Sequence, residues 1–193
     1  IEDLKIPVFI DVIKKLKNFV ISEKVDGSCL QFGMDNVGFF TGRENRGGDR
    51  VYECADYPLN YATTYQRSAH LALEKVLDHL KDAGLGVGDL IEAEILFGKL
   101  PNVVPYDTNV NRIILLRKIE GDCKLDDIRE RLIGLRVEVQ ISAPRTIDGK
   151  SVKVKDETHV WEFAQTPTFS VSSDAMKGVN GALAKFEEYL SRP

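Results

Sequence analysis

The chain has 193 residues, of which 43% are apolar and 29% charged, and its formal net charge is −4. This length is enough for a domain with its own core, and the acidic balance argues against binding nucleic acid through bulk positive charge. No run approaches the roughly 18 apolar residues of a membrane span. We therefore expect no membrane partner. Three scattered cysteines without metal or disulfide spacing predict a reduced, cytoplasmic setting.

The first part of the chain predicts one helix followed by strands. Residues 8–17 have an amphipathic helical pattern. Three apolar strands are expected next, at residues 19–23, 28–33 and 37–41. Asp35-Asn36 is the hairpin turn signal between the last two strands. A loop rich in glycine, asparagine and arginine follows at 42–50, and an irregular connection at 57–63.

The second part mixes helices and strands. A helical stripe at 64–83 ends at a glycine-rich segment, and further helices are expected at 125–132 and 173–190. The predicted strands lie at residues 89–97, 111–119, 136–141, 151–154 and 158–163. This order predicts an α+β fold, with mixed but mostly antiparallel sheets and flanking helices. No boundary divides the pattern, so residues 1–193 are interpreted as one domain.

One short stretch, Ser22-Glu23-Lys24-Val25-Asp26-Gly27-Ser28, places a lysine between two predicted strands. An amine attacks phosphorus only when it is neutral, whereas a free lysine titrates near pH 10.4. Burial or neighbouring cations lower the pKa of a lysine and make it a nucleophile. Gly27 gives a close backbone approach, which would let Lys24 point into a pocket while phosphates pass over the loop. The alternative is an exposed Lys24 that pairs with Glu23 or Asp26.

Two further segments contain charged residues that are candidates for binding a ligand. Arg43 follows a predicted hairpin, and a guanidinium there can bind a phosphate with two parallel hydrogen bonds; the alternative is a solvated turn. Glu92 and Glu94 share one face of an otherwise apolar strand. Buried carboxylates need a polar partner, which a ribose hydroxyl, a metal ion or an arginine would supply. The alternative is an edge strand with one solvent-exposed face, on which both glutamates lie.

In this order, the segment Lys24 to Ser28, Arg43 and Glu94 resembles motifs I, Ia and III of ATP-dependent polynucleotide ligases, which are covalent nucleotidyltransferases. The pattern is most similar to phage-type RNA ligases of the second group. Features that follow Glu94 in the same way are Gly98, Tyr106 and the strand at 111–119. The resemblance covers roughly residues 18–120. It implies the ATP-grasp-like nucleotidyltransferase fold, the adenylation domain of ligases.

The resemblance also implies an activity and a role for each matching residue. Lys24 would attack the α-phosphate of ATP, with Mg²⁺ as cofactor, and Glu23 would lie against the adenine. Arg43 would contact the ribose or the incoming 5′-phosphate, Arg46 would help to bind the nucleic acid, and Glu94 would bind the ribose hydroxyls. The expected substrates are RNA ends, including nicked duplexes, in RNA repair. No residue is assigned as a metal ligand.

The chain departs from the family pattern at several positions. Cys29 stands where these RNA ligases usually have asparagine, and Ala93 replaces a glycine. The strand that should supply an aromatic wall for adenine is aliphatic, at 113–116. The segments 120–124 and 153–155 do not match motifs IV and V, so we expect residues 1–193 to be part of a longer ligase. The alternatives are a DNA ligase, or an inactive ligase-like module that binds nucleotide or RNA; a capping guanylyltransferase fits less well.

Overall fold

The structure is a computed structural model. The residues it describes are 18–43, 50–57, 64–98, 110–141, 145–147, 150–152, 156–166 and 168–172. The chain divides into two compact units, one of residues 1–24 with 166–193 and the other of residues 25–165. The single-domain interpretation of residues 1–193 therefore stays a prediction. The predicted helices at 8–17 and 173–190 lie outside the described residues.

The first unit contains an antiparallel pair of strands, β1 (Asn18–Ser22) and β10 (Thr168–Ser172). Their register places Val20 opposite Ser170. The sequence predicted β1 to within one residue at each end but did not predict β10.

The second unit is built on a six-stranded sheet with the strand order β3-β2-β4-β5-β9-β6. Its strands are β2 (Ser28–Met34), β3 (Phe39–Gly42), β4 (Leu90–Leu96), β5 (Asn111–Glu120), β6 (Arg136–Ile141) and β9 (Glu157–Ala164). Only β5 and β9 pair in parallel; every other neighbouring pair in this sheet is antiparallel. A separate hairpin joins β7 (Arg145–Ile147) to β8 (Lys150–Val152).

The described helices of this unit are α1 (Thr64–Lys75), α2 (Leu77–Asp82) and α3 (Leu125–Leu132), with a short 3₁₀ turn at Cys54–Asp56. Together with the sheet they confirm the predicted mixed α+β class. None of the described helices is long and apolar enough to cross a membrane.

One face of the six-stranded sheet packs against the helices and forms the main core. Strand alternation turns the side chains of Ile91, Ala93 and Ile95 to this face, and all three are almost fully buried there. The largest side chains of the core, Trp161 and Phe163, come from β9. Burying a Val, Leu, Ile or Phe side chain stabilises a fold by about 1.5–3 kcal/mol. The alternate residues of the same strands point to the opposite face, where the carboxylates Glu92 and Glu94 lie.

The turn between β2 and β3 is held by the side chain of Asp35. Its Oδ1 accepts hydrogen bonds from the backbone N–H groups of Val37 (2.8 Å) and Gly38 (3.2 Å). Its Oδ2 accepts from Arg50 Nη1 at 2.6 Å and from the Tyr52 hydroxyl at 2.8 Å. Desolvation acts to raise the pKa of Asp35, but these donors outweigh it and lower the pKa to about 2. The predicted hairpin turn is thereby confirmed.

The predicted helix at 64–83 is wrong in one respect, because it is two helices. The chain leaves the helical conformation at Val76, where φ is −106° and ψ is 12°. Val76 is 2% exposed and belongs to the main core. Val76 therefore continues the helical spacing of apolar residues on which the prediction depended. For this reason the sequence pattern does not show where the helix breaks.

Asp89 joins the turn before β4 to the turn after β5. Its Oδ2 accepts from the backbone N–H of Gly86 at 2.6 Å, and its Oδ1 accepts from that of Cys123 at 2.9 Å. A Cβ on Gly121, which has φ +92°, would lie 2.0 Å from the same Oδ1. Desolvation acts to raise the pKa of Asp89, but the backbone donors outweigh it and hold the pKa below its ordinary value.

We predict that Asp89→Asn lowers the free energy of unfolding by about 1–3 kcal/mol at neutral pH, because the amide turns an N–H₂ group toward one of two backbone donors. The folded pKa is depressed, so the stabilisation is present above the unfolded pKa of about 3.9 and is lost as pH falls through the folded pKa. Urea unfolding at pH 7 and at about pH 3.5 measures the free energy of unfolding of the wild type and the variant. The difference between the two proteins should be smaller at the lower pH.

The matched control is Asp82→Asn, which changes an exposed aspartate on α2. It should leave the free energy of unfolding within about 0.5 kcal/mol of the wild type. If Asp89→Asn lowers the free energy of unfolding by the same amount at both pH values, the ionised Asp89 carboxylate is not the source of the stabilisation.

Candidate functional site

A hydrogen bond joins the loop that precedes β2 to β4. The backbone N–H of Gly27 donates to Glu94 Oε1 at 2.9 Å, across 67 positions of sequence. The strand register brings these residues together, since Cys29 pairs with Glu94 and Ser28 with Ile95 in the antiparallel β2–β4 ladder. The structure therefore places the glycine after Lys24-Val25-Asp26 in direct contact with the candidate glutamate.

Only a glycine fits at position 27, because the backbone of the loop lies very close to the backbone of β4. A Cβ at this position would lie 2.4 Å from the backbone oxygen of Ile95 and 3.0 Å from Glu94 Cγ. The first of these atoms belongs to the β4 ladder and cannot move aside without disturbing it. The glycine is thus fixed by the closeness of two backbones, those of the loop and of β4. The predicted approach of phosphates to this loop stays a prediction.

The two carboxylates of β4 have different partners. Arg117 of β5 donates from Nε and Nη2 to the two oxygens of Glu92, each at 3.1 Å, in a bidentate pair. The Glu92 side chain is 11% exposed, whereas that of Arg117 is 65% exposed. Glu92 is therefore neutralised by an arginine, one of the three partners that the sequence suggested, while Glu94 is held by the backbone of Gly27.

A small aliphatic cluster lies on the same face as Glu94. Its buried members are Val25, Leu96 and Ile114, with Leu116 and Ala164 packed against them. Ile114 pairs with Glu94 across the β4–β5 ladder, and Ala164 pairs with Ile114 across the β5–β9 ladder. We call these five side chains the aliphatic patch. The aliphatic segment at 113–116 thus sends alternate residues to this patch and to the core.

Arg43 lies just after β3 and is exposed. Its Nη2 donates to the hydroxyl of Tyr65 on α1 at 2.6 Å. Tyr65 belongs to the main core, on the helix-packed face of the sheet, and Thr41, two residues before Arg43, likewise reaches His70 of α1 at 2.8 Å. The Arg43 guanidinium is therefore directed to the helix side, and the structure does not bring it beside Glu94.

The remaining candidates lie elsewhere. Lys24 is the last residue of the first unit, and its side chain is exposed, while Glu23 is half-buried. Arg46 lies outside the described residues. Sequence reasoning missed Arg117 and Tyr65, because neither has a signal of its own: each gains a role only from the strand register or the helix packing.

Within the described ranges, no group of three or more His, Cys, Asp or Glu side chains is arranged to hold a metal ion. The comparisons with known proteins add no family: no protein-family model, curated protein or solved structure matches the chain.

We predict that Gly27→Ala lowers the free energy of unfolding by about 1–3 kcal/mol, because the added methyl group collides with a backbone oxygen of β4. The control is Gly86→Ala, where the nearest atom to a new Cβ is Asp89 Oδ2 at 3.7 Å, an ordinary contact. That variant should change stability by less than about 0.5 kcal/mol. Urea unfolding of the two variants side by side checks this, and equal effects would show that Gly27 is not under steric constraint.

Proposed function

We propose that the protein is an ATP-dependent RNA ligase, with the nucleotidyltransferase fold of ligase adenylation domains, acting in the cytoplasm on RNA ends. The observation that supports this most is the hydrogen bond from Gly27 to Glu94. It makes direct neighbours of two segments that the family resemblance assigns to one nucleotide site. The aliphatic patch next to Glu94 surrounds this carboxylate with apolar side chains, as in many ligand sites where a few polar groups lie among apolar ones.

The reaction would proceed through a covalent intermediate on Lys24. The lone pair of its neutral Nζ attacks the α-phosphorus of ATP, the bond to the pyrophosphate oxygen breaks, and pyrophosphate leaves with that electron pair while Nζ loses one proton to solvent. An oxygen of the 5′-phosphate end then attacks the AMP phosphorus, and the N–P bond breaks, so that the lysine leaves with the electron pair and takes up a proton. An adjoining 3′-hydroxyl attacks the activated phosphate, loses its proton and displaces AMP, so that a phosphodiester bond is formed.

The other residues of the chain would bind and orient. Glu94 accepts hydrogen bonds from the ribose hydroxyls, and the Gly27 N–H holds its carboxylate in one orientation before the nucleotide arrives. Glu23 lies against the adenine, and Arg43 and Arg46 bind phosphate groups of the nucleic acid. Magnesium, when bound with ATP, supplies charge neutralisation at the phosphates; no contact described above depends on it.

A ligase-like module that binds nucleotide or RNA without chemistry is the second candidate. The exposure of Lys24 favours it, because lysine nucleophiles are typically activated by desolvation in an apolar pocket. A DNA ligase is the nearest enzymatic variant of the first proposal. Substrate comparison between nicked RNA and nicked DNA duplexes distinguishes these two enzymes.

We predict that incubation with α-labelled ATP and magnesium labels the protein with a single AMP, and that Lys24→Ala abolishes the label. The reason is that the amine is the only atom of residue 24 able to form the phosphoramidate. Lys81→Ala, which removes an exposed lysine of α2, is the control and should label like the wild type. Mass measurement of the intact protein gives the number of adducts.

Labelling that persists in Lys24→Ala would refute the assignment of the nucleophile. A wild-type protein that binds ATP but takes up no label would favour the binding module over the enzyme.

A further inference from the structure

Strand β6 lies at one edge of the six-stranded sheet. It pairs with β9 on one side, and among the described residues no strand pairs with its other side. A cavity of about 520 Å³ lies against this strand, and its lining includes Glu138 and Val139 of β6 and Leu71 and Lys75 of α1. An edge strand presents a row of backbone groups that can pair with a strand of another chain.

The backbone groups that point out from this edge can be identified from the ladder. The N–H of Phe163 in β9 donates to the carbonyl of Leu135, just before β6, at 3.1 Å. Bonded and non-bonded pairs alternate in an antiparallel ladder, so the odd-numbered residues of β6 bond to β9 and the even-numbered ones point to the open edge. The carbonyl of Glu138 agrees with this, because it accepts a hydrogen bond from Lys75 Nζ instead of from β9.

The sequence of β6 is complementary to itself in one antiparallel register. In a symmetric pair of β6 strands, one residue must face its own copy. With Val137 at the two-fold axis, Arg136 lies opposite Glu138 of the partner subunit, and the reverse pair is formed as well. With Glu138 at the axis two carboxylates would face each other, and with Val139 there Glu138 would face the neutral Gln140. Unlike charges directly opposite each other stabilise a strand pair, whereas like charges destabilise it.

The two faces of β6 agree with the register that has Val137 at the axis. On the exposed face, Arg136 Nη2 lies 2.7 Å from Glu162 Oε2 of β9, while 64% of the Arg136 side chain remains exposed. On the helix-packed face, Val137 would meet its own copy and Leu135 would meet Val139 of the partner subunit. Leu135 and Val137 are only partly buried in the single chain. Covering apolar side chains of this kind favours association.

We infer that two copies of the chain associate through β6, in the antiparallel register with Val137 at the two-fold axis, so that their six-stranded sheets become continuous. Arg136 and Glu138 of the partner subunit form a hydrogen-bonded pair, in which both backbone N–H groups find a carbonyl. The Glu138 carbonyl has a second lone pair and accepts this bond without releasing Lys75. The inference is independent of the proposed ligase activity.

A cysteine at the axis tests the register. Cα atoms of a non-hydrogen-bonded antiparallel pair are about 4.5 Å apart, within the range of roughly 4.4–6.8 Å that a disulfide spans. Val137→Cys should therefore give a disulfide-linked dimer under mild oxidation, seen on non-reducing gels and lost with reductant. Gln140→Cys is the matched control on the same strand, because its two copies would lie about 20 Å apart along the strands. The wild type gives the background from the native cysteines.

Exchange of the charges tests the complementarity. Sedimentation equilibrium gives the dissociation constant of the dimer, which Glu138→Arg and Arg136→Glu should each raise about tenfold, because like charges then face each other twice. The double variant restores unlike charges and should return the constant to within about threefold of the wild type. Glu130→Arg, the same charge change at an exposed position of α3, should have no effect.

Urea unfolding of each variant shows whether the monomer is folded. Glu138→Arg is the cleaner single variant, because it leaves the pair of Arg136 with Glu162 in place. The inference is overturned by a wild type that is monomeric at every concentration measured, which would leave the edge to a strand of a different protein. It is also overturned by equal cross-linking of Val137→Cys and Gln140→Cys, or by a double variant that dimerises no better than the single variants.

Discussion

The antiparallel pairing of β2 with β4 is the constraint on which the candidate site depends. It sets Cys29 opposite Glu94 and brings the end of the loop before β2 within hydrogen-bonding distance of the Glu94 carboxylate. The side chains of a strand alternate between its two faces, so a register shift of one residue would turn Glu94 into the helix-packed core. The burial of Ile91, Ala93 and Ile95 opposes that shift, because each would move out of the core in exchange. Packing on one face therefore fixes the chemistry of the other.

The same alternation places the contacts of Arg43 and of Glu94 on opposite faces of the sheet. Thr41 pairs with Phe32 on the core face, and Arg43, two residues later, is directed to the same side, where it meets Tyr65. Glu94 lies on the face that no described helix covers. The two groups therefore do not share one site in this structure, although the family resemblance assigns them to substrates that react directly with each other.

Much of the fold could be predicted from periodicity. The bounds of α3 and β6 match the prediction, and β4, β5 and β9 differ by one residue at one or both ends. Strong apolar runs and clear turn residues explain this success. The break at Val76 was not predictable, since a buried valine continues the helical stripe while its backbone leaves the helix. The strand β10 has a weak pattern of five residues and depends on its partner β1.

The candidate site was less accessible to sequence reasoning, for a physical reason. Placing two carboxylates on one face of β4 follows from the period of a strand, but their partners depend on register. The β4–β5 ladder is irregular between Glu92 and Ala93, so that Glu92 pairs with Arg117 while Ala93 pairs with Leu115. A regular ladder would have placed Leu116 opposite Glu92. Counting along the sequence therefore gives the wrong partner, and the bidentate ion pair becomes visible only in the folded chain.

Gly27 connects two of the motifs on which the family resemblance is based. Lysine followed by aspartate and glycine is a short pattern, and a glutamate on a strand is common; taken separately, neither identifies a site. In the folded chain they are not independent features, because the absence of a side chain at Gly27 is what allows its N–H to reach Glu94 past the backbone of Ile95. The steric requirement links the two motifs through one contact, and that contact is the physical basis on which a nucleotide site is proposed here.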